Sequence, residues 1–359
     1  MFRIDRRLLL AFDWPLLATG VFLLGMGLLT LWSLSPNGLF LRQLLWAGVG
    51  FAGFLVLISI DYRVLASLAY PAYALGVGAL AFVLLWGHSA QGARRWLSLG
   101  IVTVQPSELF KLAFVLALAR YLAGRELRPE GRGGLLVPLG LLALPAILIV
   151  RQPDLGTALV LLPVFTAMLF IAGVRLRVLG VLAGAALLAA PGLWFLLKGY
   201  QRERLLVYLD PVRDPMGSAW SVIQAKIAIG SGQFLGKGLF GATQSQLAFL
   251  PERHTDFIFA TFAESWGFLG ALLILAACLF LALRGIEVAT TARDGLGSLI
   301  AGGATALLIS QILVNLGMVV GLLPVVGLPL PLMSYGGSAL VTAFGALALI
   351  VNVRMRRFA

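Results

Sequence analysis

The residues able to do chemistry are few, and they gather where polar segments meet long apolar runs. Pro251, Glu252, Arg253, His254, Thr255 and Asp256 crowd ionisable groups into one short stretch. From Phe257 the chain then runs almost without charge to Leu283, interrupted only by Glu264. An ionisable cluster at the mouth of a membrane helix is costly to desolvate, so it reads first as a functional site. Asp256 is the best single candidate for a reacting group. Glu108 and Lys111 stand three apart in another apolar run, so they share a helix face and can pair. Such a pair either lines a cavity or neutralises itself so that the helix can enter a bilayer; the cavity role is preferred. Asp154 opens a further apolar run, where a carboxylate suits an N-cap. Glu264, two turns beyond Asp256, either lines the same cavity or pairs with an arginine.

Several chemistries are excluded. His88 is the only histidine besides His254, and no second His or Cys stands at ligand spacing, which removes a structural zinc site. No Ser–His–Asp arrangement is legible. Gly230-Ser-Gly-Gln-Phe-Leu-Gly-Lys-Gly238 has the glycines and lysine of a phosphate loop, but Ser231 and Gly238 break the pattern and no strand precedes it. A flexible turn is the better reading.

The elements that position these groups are membrane helices. The 359 residues are 60% hydrophobic and 12% charged. Apolar runs of about 20 residues read as spanning helices. Ten are predicted, near Trp14–Leu34, Arg42–Ile60, Leu65–Trp86, Gln105–Ala123, Leu135–Val150, Leu155–Gly173, Val178–Leu197, Phe257–Leu283, Ser298–Val320 and Ser334–Val353. Their unbroken apolarity excludes a membrane barrel, whose strands alternate. The expected fold is an all-α polytopic membrane protein, residues 1–359 forming one integral membrane domain. The basic start Met1–Arg7 precedes a run too long for a cleaved signal peptide, so that run is read as a retained first helix. Cys278 is the single cysteine and forms no internal disulfide.

The net charge is +12, but the arginines are spread between apolar runs, which marks membrane topology rather than nucleic acid. Fifteen arginines fall on the side of both termini, which is therefore read as cytoplasmic. The other side carries Gly87–Val104, the long extracytoplasmic loop 198–256 and the Pro- and Gly-rich Gly321–Gly337. In the long loop, Tyr200–Asp214 resembles a surface segment. Trp220, Ile223 and Ile227 recur at helical spacing, as in an interfacial or an ordinary packing helix. Gly321–Gly337 is read as a re-entrant or broken helix beside a cavity, since irregular backbone needs protein or water to satisfy it. The fourth, sixth and eighth spans start on this outer side, with Pro106 and Pro153 suited to first turns. Their N-termini favour anions. Arg94, Arg95, Lys111, Arg151 and Arg253 surround them, an excess of outer cations that a diphosphate substrate would explain.

Five motifs together resemble the SEDS family (shape, elongation, division and sporulation) over nearly the whole chain. They are Gly92-Ala-Arg-Arg-Trp96, Gln105-Pro-Ser-Glu-Leu-Phe-Lys111, Gln152-Pro-Asp-Leu-Gly156, Leu250-Pro-Glu-Arg-His-Thr-Asp-Phe-Ile-Phe-Ala260 and Pro331-Leu-Met-Ser-Tyr-Gly-Gly-Ser338. Pro251-Glu-Arg-His-Thr-Asp256 looks like the elongation branch, RodA. The resemblance implies ten spans with cytoplasmic termini in the cytoplasmic (inner) membrane. It implies peptidoglycan glycosyltransferase activity on lipid II, a growing glycan strand as the other substrate, a class B penicillin-binding protein as partner, and other elongation-complex proteins. It also implies an essential aspartate at Asp256 and an important pair at Glu108 and Lys111. The expected substrate cavity comprises Glu108, Lys111, Arg94, Arg95, Trp96, Arg151, Asp154, Arg253, His254, Glu264, Ser334 and Tyr335 around Asp256. Asp256 would act as base, with cations, helix N-termini or a divalent cation (Mg or Mn) balancing the diphosphate. The rival readings are a lipid II flippase and a non-catalytic scaffold.

Overall fold

The computed structural model describes residues 11–90, 93–99, 102–124, 134–194, 199–210, 219–247 and 249–357. Met1–Arg7 and parts of the long loop lie outside them. A helix occupies each of the ten predicted runs. α1 (Trp14–Leu34) is capped by Asp13, which accepts from the Leu16 N–H at 3.2 Å. α2 (Leu41–Ser59) follows a short π-turn. The third run divides into α3 (Tyr62–Ser67), capped by Asp61, and α4 (Ala69–Trp86). Then come α5 (Pro106–Ala123), α6 (Leu136–Arg151), α7 (Leu155–Ile171) and α8 (Leu176–Leu193). α9 (Gly199–Leu209), α10 (Trp220–Ser231) and the single turn α11 (Thr243–Gln246) belong to the long loop. The chain ends with α12 (Ile258–Thr290), α13 (Gly295–Val319) and α14 (Gly337–Met355). Among the described residues six helices are long and apolar enough to cross a membrane, with α6, α7 and part of α8 as shorter apolar helices. α5 carries Glu108, Lys111 and Arg120, which makes it more polar than those six.

α13 and α14 form the centre and are mostly buried, whereas α2 and α4 keep most of their surface on the outside. Both kinds of helix are apolar, so transfer out of water does not distinguish them. Nor does small-residue content, since α4 carries Ala72, Ala74, Gly76, Gly78, Ala79 and Ala81; in α13 and α14 the small residues are buried, where they let backbones approach closely in a setting that lacks a hydrophobic drive between helices. α13 buries Ala301, Gly302, Gly303 and Ala304, and α14 buries Ala343, Gly345, Ala346 and Ala348. A methyl group at Gly345 would stand 2.4 Å from Leu112 of α5.

Two features depart from the all-helical expectation. Gly87–Val104 folds largely as a small antiparallel sheet, β1 (His88–Ala90), β2 (Ala93–Leu99) and β3 (Val102–Val104), with His88 opposite Trp96 and Leu97 opposite Val104. The second is a break in α12 at Gly267 (φ 66°, ψ −163°). There the N–H groups of Phe268 and Leu269 donate to Gln233 and Phe234 carbonyls at 2.8 and 3.3 Å. The Glu264 and Ser265 carbonyls they abandon accept instead from the Lys237 and Gly238 N–H groups at 3.1 and 3.0 Å. Segment 233–238 is thus spliced into the helix ladder, and these two interrupted bonds are replaced. The glycines are needed for the approach: a Cβ at Gly236 would meet the Ser265 carbonyl oxygen at 2.2 Å. The glycine-rich stretch expected to be a flexible turn is a docked one.

In α10 the buried face is Gln224, Ala225 and Ala228, against α12, while Ile227 points outward. The apolar stripe Trp220–Ile223–Ile227 is therefore not the packing face.

Candidate active site

A turn precedes α12 and ends at Asp256, and its backbone is held from three sides. The Arg253 carbonyl accepts from Thr261 Oγ1 (3.2 Å), that of His254 from the Tyr335 N–H (2.9 Å), that of Thr255 from Ser334 Oγ (2.6 Å), and that of Asp256 from Asn315 Nδ2 (2.8 Å). Four successive carbonyls are fixed by α12, by the segment before α14 and by α13. Glu252 enters the turn with φ 48°, a region few non-glycine residues occupy. Such strain persists only where the surroundings over-determine it, as they do here.

Asp256 lines a cavity of about 670 Å³. The residue is only partly exposed, among the other residues that line this space. Desolvation therefore dominates and pushes its carboxyl up to about 6. The nearby Glu252 charge raises it further, while Arg204, Arg95 and a hydrogen bond from Thr255 pull it down. Burial lowers the basicity of His254, so its imidazole is neutral at pH 7.

The starts of α5, α7 and α14 meet at the same cavity. Asp154 caps α7 through the Thr157 N–H (3.3 Å). It also accepts from Gln105 Nε2 (2.8 Å) and Ser107 Oγ (3.1 Å) at the start of α5, and faces Arg95 of β2 at 3.7 Å. Pro153 therefore precedes the cap, outside the first turn expected for it, because Asp154 occupies the N-cap. The start of α14 has no side-chain cap, and Gly336, Gly337, Ser338 and Ala339 line the cavity. The irregular segment 321–336 contributes Pro324, Gly327, Pro329 and Tyr335.

Of the expected cavity set, Asp256, Glu108, Arg95, Trp96, Asp154 and Tyr335 line this space. Arg94 lies on β2 and its side chain is outside the described residues. The remaining six do not reach the cavity. Lys111 is fully buried behind Glu108, 2.7 Å from its Oε1. Arg151 is exposed at the end of α6. Arg253 turns to the Ser245 and Gln246 carbonyls. His254 packs edge-on against Tyr335, at 5.8 Å between rings. Ser334 precedes α14 instead of opening it, and its hydroxyl serves the Asp256 turn. Glu264 is buried in contacts with Lys237, Gln244 and Ser245, since it lies on the α12 face turned to the long loop.

The sequence reading missed Gln201 and Arg204, which bring α9 to the cavity from a segment expected to be surface. It also missed Asn315. A polar side chain within the apolar α13 was the available signal. Asn315→Ala strips hydrogen bonds from the buried carbonyls of Asp256 and Leu328. Unsatisfied buried groups cost about 1–3 kcal/mol each, so a melting temperature lowered by several degrees is expected; an unchanged one would show that Asn315 does not anchor the turn. Among the described residues no three His, Cys, Asp or Glu side chains converge as metal ligands.

The chain and its fold have counterparts among known proteins. The FtsW/RodA/SpoVE family model, described as cell cycle protein, matches residues 13–358. The peptidoglycan glycosyltransferase MrdB of Escherichia coli K12 is 41% identical over 332 residues, covering 92% of this chain and 90% of the relative. A probable peptidoglycan glycosyltransferase FtsW of Geobacter metallireducens is 38% identical over 88% of this chain and 84% of its own. Among solved structures, the rod shape determining protein RodA of Thermus thermophilus superposes with a TM-score of 0.74 at 33% identity, over 98% of this chain and 99% of that one. A chain of a peptidoglycan synthase complex that coordinates polymerization and crosslinking gives 0.84 at 35% identity, over 97% and 99%. The chain belongs to the FtsW/RodA/SpoVE family of cell cycle proteins.

Proposed function

We propose that this protein is a peptidoglycan glycosyltransferase that polymerises lipid II into β-1,4 glycan strands at the outer face of the cytoplasmic membrane. The observation that carries the reading is a rigidly held, partly desolvated carboxylate, Asp256, in a cavity that also holds Arg95 and Arg204. The relatives' names support it. The donor sugar is α-linked to diphosphate and the product is β-linked, so one inverting displacement suffices. Asp256 takes the proton of the acceptor 4-hydroxyl as that oxygen attacks the anomeric carbon. The bond from that carbon to the diphosphate oxygen breaks, and its electron pair leaves with undecaprenyl diphosphate. A diphosphate leaves without an acid once its charge is balanced, and Arg95, Arg204 and the uncapped start of α14 supply that balance.

The distribution of arginines supports cytoplasmic termini and an outward cavity, with 198–256 as an extracytoplasmic loop of a single membrane domain. A class B penicillin-binding protein is the expected partner, consistent with the similarity to a chain of a synthase complex, and other elongation-complex proteins would join them.

Purified protein, alone and with a class B partner, should polymerise fluorescent lipid II. Absence of polymer, with lipid II crossing liposome membranes instead, would replace this reading by a flippase. The pH dependence is equally specific. Asp256 is a base only when ionised, so kcat/KM should rise with pH to a half-maximum near 6. Below that it should fall about tenfold per pH unit. A half-maximum near pH 4 would describe a solvated carboxylate and remove the desolvation argument.

A further inference from the structure

Glu264 is fully buried, yet none of its contacts belongs to the cavity. Its Oε1 accepts from Lys237 Nζ (2.8 Å), the Gln244 N–H (2.9 Å) and, at 3.5 Å, Thr243 Oγ1, and its Oε2 from the Ser245 N–H (3.0 Å) and Ser245 Oγ (2.8 Å). The five donors come from two separate pieces of the long loop. One is Lys237, in the segment spliced into α12 at Gly267; the other is α11. The contacts then continue. The carbonyls of Ser245 and Gln246 accept from the Arg253 guanidinium, and the Arg253 carbonyl accepts from Thr261, one helical turn before Glu264. The circuit closes on α12 and encloses the turn that ends at Asp256. A carboxylate suits its centre because all five partner groups are donors; a neutral amide has one acceptor oxygen and would turn its NH2 toward donors.

We propose that Glu264 is a positioning residue, which clamps Lys237 and α11 onto α12 and thereby fixes, through Arg253, the turn that presents Asp256 to the cavity. The proposal rests on the reading of Asp256 as the base. Misplacement of a reacting group by about 1 Å can cost about 100-fold, so the effect should fall on turnover. Glu264→Gln should lower kcat by about 10- to 100-fold with KM little changed. A loosened turn also admits water to Asp256, whose charge is otherwise set by Glu252, Arg204 and Arg95. The half-maximum of the pH–rate profile should therefore move down by about one unit.

The experiment compares wild type, Glu264→Gln, Lys237→Met and Lys237→Arg by pH–rate profile and by amide hydrogen exchange. Expected are a lowered pH midpoint and faster exchange confined to 243–257 in Glu264→Gln, the same in weaker form in Lys237→Met, and recovery in Lys237→Arg. Exchange that rises throughout the bundle with an unmoved midpoint would make Glu264 a general stability residue and overturn the proposal; so would wild-type exchange and kinetics in all three variants. If wild type makes no polymer, the functional reading fails on its own, and exchange at 243–257 still decides whether Glu264 holds the turn. Should Glu264→Gln fail to fold, Lys237→Met carries the same test, because it removes one of five donors and leaves the carboxylate in place.

Discussion

Asp256→Asn should abolish polymerisation while leaving the protein at least as stable as the wild type. The amide has the shape of the carboxylate, and the contacts that hold the turn act on backbone carbonyls, so they survive the change. What is lost is the site that receives the acceptor proton, and general-base catalysis contributes about 10²- to 10⁴-fold. Stability should move the other way. The folded protein raises this carboxyl from 3.8 to about 6, so keeping it ionised is unfavourable. Below pH 4 both folded and unfolded chains carry it protonated, and the cost is absent. It grows from pH 4 to pH 6 and is complete above that. At about 1.4 kcal/mol per pKa unit, the full cost is on the order of 3 kcal/mol. Asp256→Asn should therefore melt higher than wild type at pH 7.5 and equal to it near pH 4. A variant that keeps a tenth of the activity would remove Asp256 as the base. One that melts lower at neutral pH would show that the carboxylate is held by favourable partners rather than desolvated.

The sequence made the frame legible because uninterrupted apolarity of spanning length has few other meanings. All ten runs contain helices, and the 251–256 cluster lies at the mouth of α12. It could not rank the helices by burial. Lipid-facing and protein-facing surfaces are equally apolar, and small residues are as frequent in the outer α4 as in the central α14. Assignment of charges failed in a consistent way. Arg253, Glu264 and Lys111 were expected at the cavity because they are charged and near its mouth, yet each is consumed by a neighbour. A charge deep in such a bundle needs a partner before it can meet a ligand, and which charges remain over is settled by rotation about the helix axis. Arg204 shows the converse. Its segment has the mixed charge of a surface, but α9 folds back and puts Arg204 and the buried Gln201 against the cavity. The sheet at 88–104 was invisible for a simpler reason: its strands are three to seven residues long.

The second large effect concerns Glu108 and Lys111, where stability and activity should separate. The pair is buried at 2.7 Å, with side chains 4% and 0% exposed. Lys111→Met removes the cation and leaves the Glu108 charge in a dry setting. Breaking one partner of a buried pair costs about 3–5 kcal/mol, enough to deplete folded protein in detergent. Glu108→Gln should be nearly as harmful, since it strands the ammonium. The double variant Glu108→Gln/Lys111→Met restores an uncharged, volume-matched pair, and its melting temperature should return close to wild type. Its activity should not return. Glu108 lines the cavity and its Oε2 has no hydrogen-bond donor among the described residues, so a substrate hydroxyl or amide that reaches it would supply the missing donor. Loss of a buried hydrogen bond to a charged group is worth about 1.5–3 kcal/mol, roughly 10- to 100-fold in kcat/KM. The exchanged pair Glu108→Lys/Lys111→Glu sharpens the comparison, because it conserves the ion pair and places an ammonium at the cavity. A well-folded and fully active exchange variant would make the pair a device for carrying α5 through an apolar bundle and nothing more. A well-folded and inactive one would assign the recognition to Glu108, with Lys111 the counter-charge that allows a carboxylate to stand there at all.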